Sequence, residues 1–296
     1  LGLAQLCLAH PEWQTWLAPV VTAAAAKSFR AEMRDFGTRA WGEDAMASLD
    51  GSHGHAYLAY AALAVGMARL VDPAFPLELA RRHDALIVAY ERRLLASPTG
   101  LIETYPGEAY PTDVAAVAAA IAVHARATHT HHDAVLRHWA EQVRRIQLDP
   151  KSGLVIQRMD AITGKPHDAP RASGTGLAAY FAGFADRDVA RVLATGVLRQ
   201  VSTRFGFAGI REYPDGHGGP GDIDSGPVLL GISVSATGFA LASARALDDR
   251  DAFVALYRTV DLFGLPIGDG DRRRFMVGGP IGNALLLALL TSERAQ

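Results

Sequence analysis

Short polar segments rich in glycine recur along this chain, and each one opens a long run of Ala, Leu, Val and Gly. From one opener to the next the steps measure 52 to 61 residues, which is about the length of two helices with their loops. A repeat of this length predicts an architecture built from similar helical pairs. The openers are DGSHGH at 50–55, YPTD at 110–113, RASGTG at 171–176, GDIDSGP at 221–227 and GGPIGN at 278–283.

Amphipathic segments alternate with these apolar runs. The apolar runs predict helices buried on every side, and the amphipathic segments predict helices with one face in water. Two concentric rings place the buried helices inside and the amphipathic helices outside. We therefore predict an all-α fold, an α/α toroid of five to six helical hairpins with long loops. At most one short β-hairpin is expected, formed by residues 153–158 and 162–165. An α-solenoid is the alternative. The amphipathic segments are 11–29, 76–96, 131–148, 186–204 and 249–263.

The predicted toroid occupies residues 1–296 as a single domain, which is within the size of one large hydrophobic core. Five repeats are visible where a toroid usually has six. Residues 1–42 therefore either hold a degenerate sixth repeat or follow a missing N-terminal portion. The apolar start lacks a basic leader, so no signal peptide is predicted.

Charge and composition restrict the possible partners. The net charge of −2 gives no electrostatic reason to expect nucleic acid or an anionic membrane surface. The most apolar run, 229–244, is too short for a membrane span. We therefore expect a soluble protein that binds a small molecule and needs no cofactor. The sequence indicates neither an oligomeric state nor a compartment.

The segment 205–227 is the richest in side chains that could perform chemistry. Its Gly and Pro residues make tight turns, which can aim side chains inward. Asp222 and Asp224 are candidate catalytic carboxylates, although Asp224 or Ser225 could instead cap the following helix. The candidate substrate contacts in this segment are Phe207, Arg211, Glu212 and Tyr213.

A second cluster, ETYPGEAYPTD, spans residues 103–113. Asp113 is either a helix cap or a carboxylate at the mouth of the ring. Burial would raise its pKa and suit it to act as a general acid, while a second, wetter carboxylate such as Asp222 or Asp224 stays ionised. The candidate substrate contacts here are Tyr105, Glu108 and Tyr110.

Histidines and one arginine complete the candidate set. His53 is a candidate acid–base residue, with a solvated loop histidine as the alternative, and His55 is a candidate substrate contact. The pair has no second half at zinc-ligand spacing, and Cys7 is the single cysteine, so we expect no metal. The histidines at 129, 131 and 132 are interpreted as surface residues. Arg171 opens a glycine-eased helix near the mouth and could contact substrate.

The alternating helices, with acidic residues at the starts of the inner ones, resemble the six-hairpin α/α toroid enzymes. Segments 103–113 and 221–238 are similar to motifs of the linalool dehydratase/isomerase-like group. That group is associated with active-site cysteines, whereas Cys7 matches no inner-helix start. The resemblance implies acid–base chemistry in the mouth of the ring.

We therefore expect an acid–base enzyme that acts on a carbohydrate, as a glycoside hydrolase, lyase or epimerase. The aromatic residues beside the carboxylates favour this substrate, because rings stack on sugar faces. A lyase or isomerase acting on a small terpenoid alcohol is the first alternative. A helical scaffold without catalytic activity is the second.

Overall fold

The computed structural model describes residues 1–46, 55–222 and 224–293, and these form a predominantly helical fold, as predicted. In chain order the α-helices are α1 (Gly2–Ala9), α2 (Gln14–Ser28), α3 (Ala31–Trp41), α4 (His55–Val71), α5 (Leu77–Ala96), α6 (Pro111–Thr128), α7 (Asp133–Gln142), α8 (Ala172–Ala185), α9 (Arg187–Leu198), α10 (Val234–Ala246), α11 (Arg250–Phe263) and α12 (Gly279–Leu290). A short 3₁₀ turn, Pro11–Trp13, precedes α2, and a π-helical turn, Val143–Gln147, extends α7.

Six helices pack side by side in a closed ring, in the order α1, α4, α6, α8, α10, α12 and back to α1. The sequence explains why they lie inside. In α6, for example, every residue from Pro111 to His124 is buried, and alanine is the commonest of them, which lets neighbouring helices approach closely. The sixth position of the ring belongs to α1, which has no glycine-rich opener.

The amphipathic helices pack outside this ring. α5 contacts α4 and α6, α9 contacts α8 and α10, and α11 contacts α10. In α5 the buried residues Leu86, Tyr90 and Leu94 share one face, while Arg81 and Arg82 are exposed. Burying a leucine in this way contributes about 1.5–3 kcal/mol. The outer segments predicted from periodicity therefore correspond to α2, α5, α7, α9 and α11.

Side chains fill the interior of the ring. The hydroxyl of Tyr180 in α8 donates a 3.2 Å hydrogen bond to the Gln5 side chain in α1, which stands opposite in the ring. The rings of Tyr60 in α4 and Phe181 in α8 lie 5.4 Å apart, again between helices that are not neighbours. These contacts form a floor beneath the end of the ring where α6 and α8 begin.

The expectation of at most one short β-hairpin is wrong. An antiparallel four-stranded sheet with strand order β1-β2-β4-β3 forms from β1 (Val201–Arg204), β2 (Phe207–Arg211), β3 (Val228–Leu229) and β4 (Ile232–Ser233). A second hairpin pairs β5 (Pro266–Asp269) with β6 (Arg272–Phe275). The segment predicted as a hairpin, 153–165, instead contributes isolated bridges, such as the one between Met159 and Pro166.

The sheet also changes where an inner helix begins. Residues 221–227 were expected to open α10, but β3 and β4 intervene and the helix starts at Val234. The Ser233 side chain caps it by accepting a 3.0 Å hydrogen bond from the Ala236 N–H. Asp222 and Asp224 therefore lie in the connection between β2 and β3 rather than at a helix cap.

No helix in the described part of the chain is both long and apolar enough to cross a membrane.

Candidate functional site

Asp113 occupies the first turn of α6 and does not cap it. Its Oδ1 accepts a 2.5 Å hydrogen bond from the Tyr60 hydroxyl, and Thr104 donates a second bond to the carboxylate. The neighbouring Thr112 hydroxyl donates to the Gly174 carbonyl oxygen at the start of α8. Because Gly174 has no side chain, the two helix starts meet closely: a Cβ there would lie 3.0 Å from Thr112 Oγ1.

Burial raises the pKa of Asp113 to about 6. The hydrogen bonds from Tyr60 and Thr104 oppose this rise because they stabilise the charged form, whereas the nearby negative charge of Asp224 adds to it. A carboxyl group with a pKa near 6 can hold a proton at close to neutral pH and release it to a substrate.

Asp224 is the second carboxylate of the site. Partial burial raises its pKa, and the adjacent Asp222 adds to the rise, while Arg171 opposes it. The charge of Asp224 also raises the pKa values of Tyr60, Tyr105 and Tyr110. The carboxylate of Asp224 therefore lies at the same end of the ring as Asp113.

Asp222 organises this loop. Its side chain contacts the Arg171 guanidinium and accepts hydrogen bonds from the N–H groups of Asp224 (3.0 Å) and Ser225 (2.8 Å). Partial burial acts to raise the pKa of Asp222, but these partners hold it below its usual value. Arg171 is engaged with Asp222 and with Asp168, at 2.9 Å, rather than free to meet a substrate.

Aromatic rings form the rim beside the two carboxylates. The ring of Tyr105 lies edge-on to Tyr110 at 5.7 Å and to Trp41, at the end of α3, at 5.8 Å. Burial and the nearby acids raise the pKa values of Tyr105 and Tyr110 to about 12, so both stay neutral. Glu108 accepts a hydrogen bond from the Tyr110 hydroxyl and pairs with Arg158 at 2.5 Å.

Two predicted substrate contacts are buried instead. His55 is 1 % exposed, and its ring contacts Arg93 and lies edge-on to Tyr90, so it ties α4 to α5. Glu212 is 0 % exposed and accepts hydrogen bonds from the Ser173 hydroxyl (2.6 Å) and N–H (3.3 Å) at the start of α8. Neither side chain presents a surface to a ligand.

Other predicted contacts have partners of their own. Phe207 packs edge-on against Phe263 of α11, in the outer layer. Arg211 pairs with Asp215. The Tyr213 ring lies under the Arg171 guanidinium at 5.3 Å, and its hydroxyl donates to the Pro220 carbonyl oxygen. His53 lies outside the described residues.

Sequence reasoning missed Tyr60 and Trp41. Tyr60 lies 53 positions before Asp113, inside an apolar run. Nothing in that run indicates that its hydroxyl group binds a carboxylate. Trp41 ends α3, a helix that the periodicity did not reveal. A search for aromatic residues just before an opener, as well as after it, would have found Trp41.

Potential metal ligands occur at a different place. His83, Asp84 and His124 each offer one potential ligand atom, and these three atoms lie within 4.8 Å of one another. The cluster is at the far end of α6 from Asp113. The sequence-based expectation of no metal considered only ligands close together in sequence. His132, expected at the surface, is half-buried and contacts His124.

Comparison with known proteins gives distant structural similarities but no match in sequence. No protein-family model and no curated protein matches the sequence. The fold is similar to that of an inactive double Asp-to-Ala variant of alpha-1,6-mannanase from Salegentibacter sp. HEL1_6, in complex with alpha-1,6-mannotetrose. The identity is 12 %, the TM-score is 0.48, and the match covers 82 % of this chain and 76 % of that chain. No site residue is carried over from it.

The resemblance to the linalool dehydratase/isomerase-like group receives no support from these comparisons. Cys7, the single cysteine, is buried in α1 at 4 % exposure.

Proposed function

We propose that this protein is an enzyme that hydrolyses a glycosidic bond in a neutral carbohydrate, with Asp113 as the proton donor and Asp224 as its partner carboxylate. The observation that carries the proposal is Asp113 itself. It is a buried carboxyl group with a pKa of about 6, held by Tyr60 and electrostatically coupled to Asp224. Two carboxyl groups with different environments are what acid–base cleavage of a glycosidic bond requires.

In the proposed reaction, Asp113 donates its proton to the glycosidic oxygen as the bond between that oxygen and the anomeric carbon breaks. Asp224, on the wetter side, removes a proton from the water that attacks the anomeric carbon. Asp222 is less suited to this role because its charge is already balanced by Arg171. Its task is to hold the loop that carries Asp224.

The charges around the site favour a neutral substrate. Glu108 pairs with Arg158 and Asp222 with Arg171, whereas neither Asp113 nor Asp224 forms an ion pair within the described part of the chain. With Asp113 protonated as the donor, the ionised Asp224 would repel a uronate or a phosphorylated sugar. Trp41, Tyr105 and Tyr110 supply rings with an apolar face and, in the tyrosines, a polar tip, which suits the C–H face and hydroxyl edge of a sugar.

The test is a screen of neutral oligosaccharides of different linkage, with new reducing ends and ligand-induced stabilisation as the two readouts. Asp113→Asn and Asp224→Asn should each lower turnover by roughly 10²–10⁴ while the protein stays folded. Asp215→Asn is the matched control, because its side chain is 90 % exposed on the segment that leads to this loop.

Unchanged turnover in both active-site variants would remove these carboxylates from the mechanism. Stabilisation by terpenoid alcohols, with none by sugars, would favour the lyase or isomerase alternative. Stabilisation by a peptide, with no turnover of any sugar, would favour a scaffold.

A further inference from the structure

His83, Asp84 and His124 meet at the opposite end of the ring from the candidate active site. His124 follows Asp113 by eleven positions in α6, which is about 16 Å along the helix axis. His83 is 0 % and His124 7 % exposed, whereas the Asp84 side chain is 46 % exposed. The cluster is therefore buried except at one edge, which Asp84 opens to solvent.

The His83 ring makes no hydrogen bond of normal geometry in the described part of the chain. Both of its nitrogens are buried and unbonded, and the Ala62 carbonyl oxygen faces the ring without a hydrogen bond of normal geometry. A buried imidazole without partners is unfavourable. Gly66 in α4 makes room for it, because a Cβ there would lie 3.2 Å from His83 Cε1. This ring is positioned to bind something that the protein itself does not supply.

Asp84 and His124 belong to a chain of three polar contacts that has one hydrogen too few to make every contact a hydrogen bond. Glu91 Oε2 lies 2.9 Å from His132 Nδ1, His132 Nε2 lies 3.2 Å from His124 Nδ1, and His124 Nε2 lies 2.9 Å from Asp84 Oδ1. Each of the three contacts needs one hydrogen, since carboxylates only accept. Two neutral imidazoles carry only two hydrogens. The Thr130 hydroxyl, 3.2 Å from His132 Nε2, can donate to that nitrogen, but His124 Nδ1 is then left without a hydrogen-bond partner.

A divalent ion between His124 Nε2 and Asp84 removes this deficit. His124 then donates from Nδ1 to His132, and His132 donates from Nδ1 to Glu91. A metal-binding histidine usually donates its other N–H to such a partner. Arg69 and His124 both contact Oδ1 of Asp84, which leaves Oδ2 for the ion.

We propose that His83, Asp84 and His124 form a zinc site that joins α5 to α6. Two imidazole nitrogens and one carboxylate oxygen are a donor set that zinc accepts, with water in the fourth position at the open edge beside Asp84. The distance from Asp113 makes this a structural ion, so its expected effect is on stability.

The test uses the whole chain, purified without a histidine tag and stripped with a chelator. Zn²⁺ should bind at one equivalent and raise the Tm progressively with its concentration. Co²⁺ should give the visible absorption of a tetrahedral site. Mg²⁺, which prefers six oxygen ligands, should do neither.

Variants separate the ligands from their neighbours. His83→Gln and His124→Gln should abolish one-equivalent binding, whereas His131→Gln, an exposed neighbour, should leave it unchanged. His132→Gln should weaken binding by about 10–100-fold and keep the cobalt spectrum, because His132 only orients His124. Circular dichroism of the stripped variants confirms that each is folded.

Absence of zinc binding to the unaltered chain would overturn the site. Zinc binding that persists when both His83 and His124 are replaced with Gln would also overturn the site. A Tm that does not respond to zinc would also overturn the proposal.

Discussion

The hydroxyl group of Tyr60 lies 2.5 Å from Oδ1 of Asp113, and this contact joins α4 to α6 at the base of the candidate site. The bond has two consequences. It fixes the carboxylate in one position, and it stabilises the ionised form against the burial that raises its pKa.

Replacing Tyr60 with Phe should therefore raise the pKa of Asp113 above its present value of about 6. Carboxyl titration by NMR would measure the shift, and the alkaline limb of the turnover profile should move with it. The lost hydrogen bond should cost about 1 kcal/mol of stability.

Tyr57→Phe is the control for this substitution. The Tyr57 hydroxyl donates a 2.9 Å hydrogen bond to the Ser28 carbonyl oxygen, also from α4, so a similar stability loss is expected. The pKa of Asp113 should not change. An unchanged or lower pKa in the Tyr60 variant would show that the Tyr60 hydroxyl does not stabilise the carboxylate.

Asp113→Asn should make the protein more stable at pH 7. The folded-state pKa of about 6 exceeds the unfolded value of about 4, so the native state loses stability as the pH rises between these values. The full loss, on the order of 3 kcal/mol, is present above pH 6. Asn has no charge and keeps an acceptor for Tyr60.

Chemical unfolding of both proteins across the pH range measures this difference. The advantage of the variant should be largest above pH 6 and should shrink toward pH 4. A variant that is less stable than the parent at pH 7 would mean that the surrounding hydrogen-bond network requires the charge.

Asp222→Asn should lower the pKa of Asp224. The substitution removes the neighbouring negative charge that raises this pKa, and Arg171 keeps its opposing effect. Asn retains an oxygen for the N–H groups of Asp224 and Ser225, so the loop should hold its shape. The acid limb of the turnover profile should therefore move to lower pH, and Asp215→Asn should leave it in place.

Glu212→Gln should destabilise the protein by about 1–3 kcal/mol. Each of the two carboxylate oxygens of Glu212 accepts one hydrogen bond from Ser173, whereas Gln turns an N–H toward one of these donors. Thermal unfolding measures the loss. Glu78→Gln, at an exposed pair with Arg82 on α5, should cost under 1 kcal/mol. Equal effects in both variants would exclude a specific structural role for Glu212.

The hydrophobic periodicity of the sequence predicted the positions of the helices well, but it did not predict which side chains contact one another between them. The segment 76–96 differs from α5 by one residue at its start, because its apolar residues follow one helical face over five turns. The strands of the β1–β4 sheet are two to five residues long and interrupted by glycines, so no alternation is visible in the sequence. This is why Asp224 was expected at a helix start.

The candidate site depends on closure of the ring, which periodicity does not encode. Trp41 and Tyr105 are 64 positions apart, and Tyr60 and Asp113 are 53 apart, yet each pair is in contact. Asp113 was identifiable because an acid beside an alanine-rich run is unusual. Its partners come from apolar or aromatic positions that would suit a core equally well.

The hydrogen bond between Tyr180 and Gln5 crosses the ring from α8 to α1, and the contact between Tyr60 and Phe181 lies beside it. Within the described chain these side chains cross the middle of the ring, which favours a cup over a tunnel. A polymer could not be threaded through it, and a product could not leave by the far side. Under the proposed function, substrate and product would therefore enter and leave at one end, and a long chain would lie across the rim with only the reacting unit reaching down to Asp113.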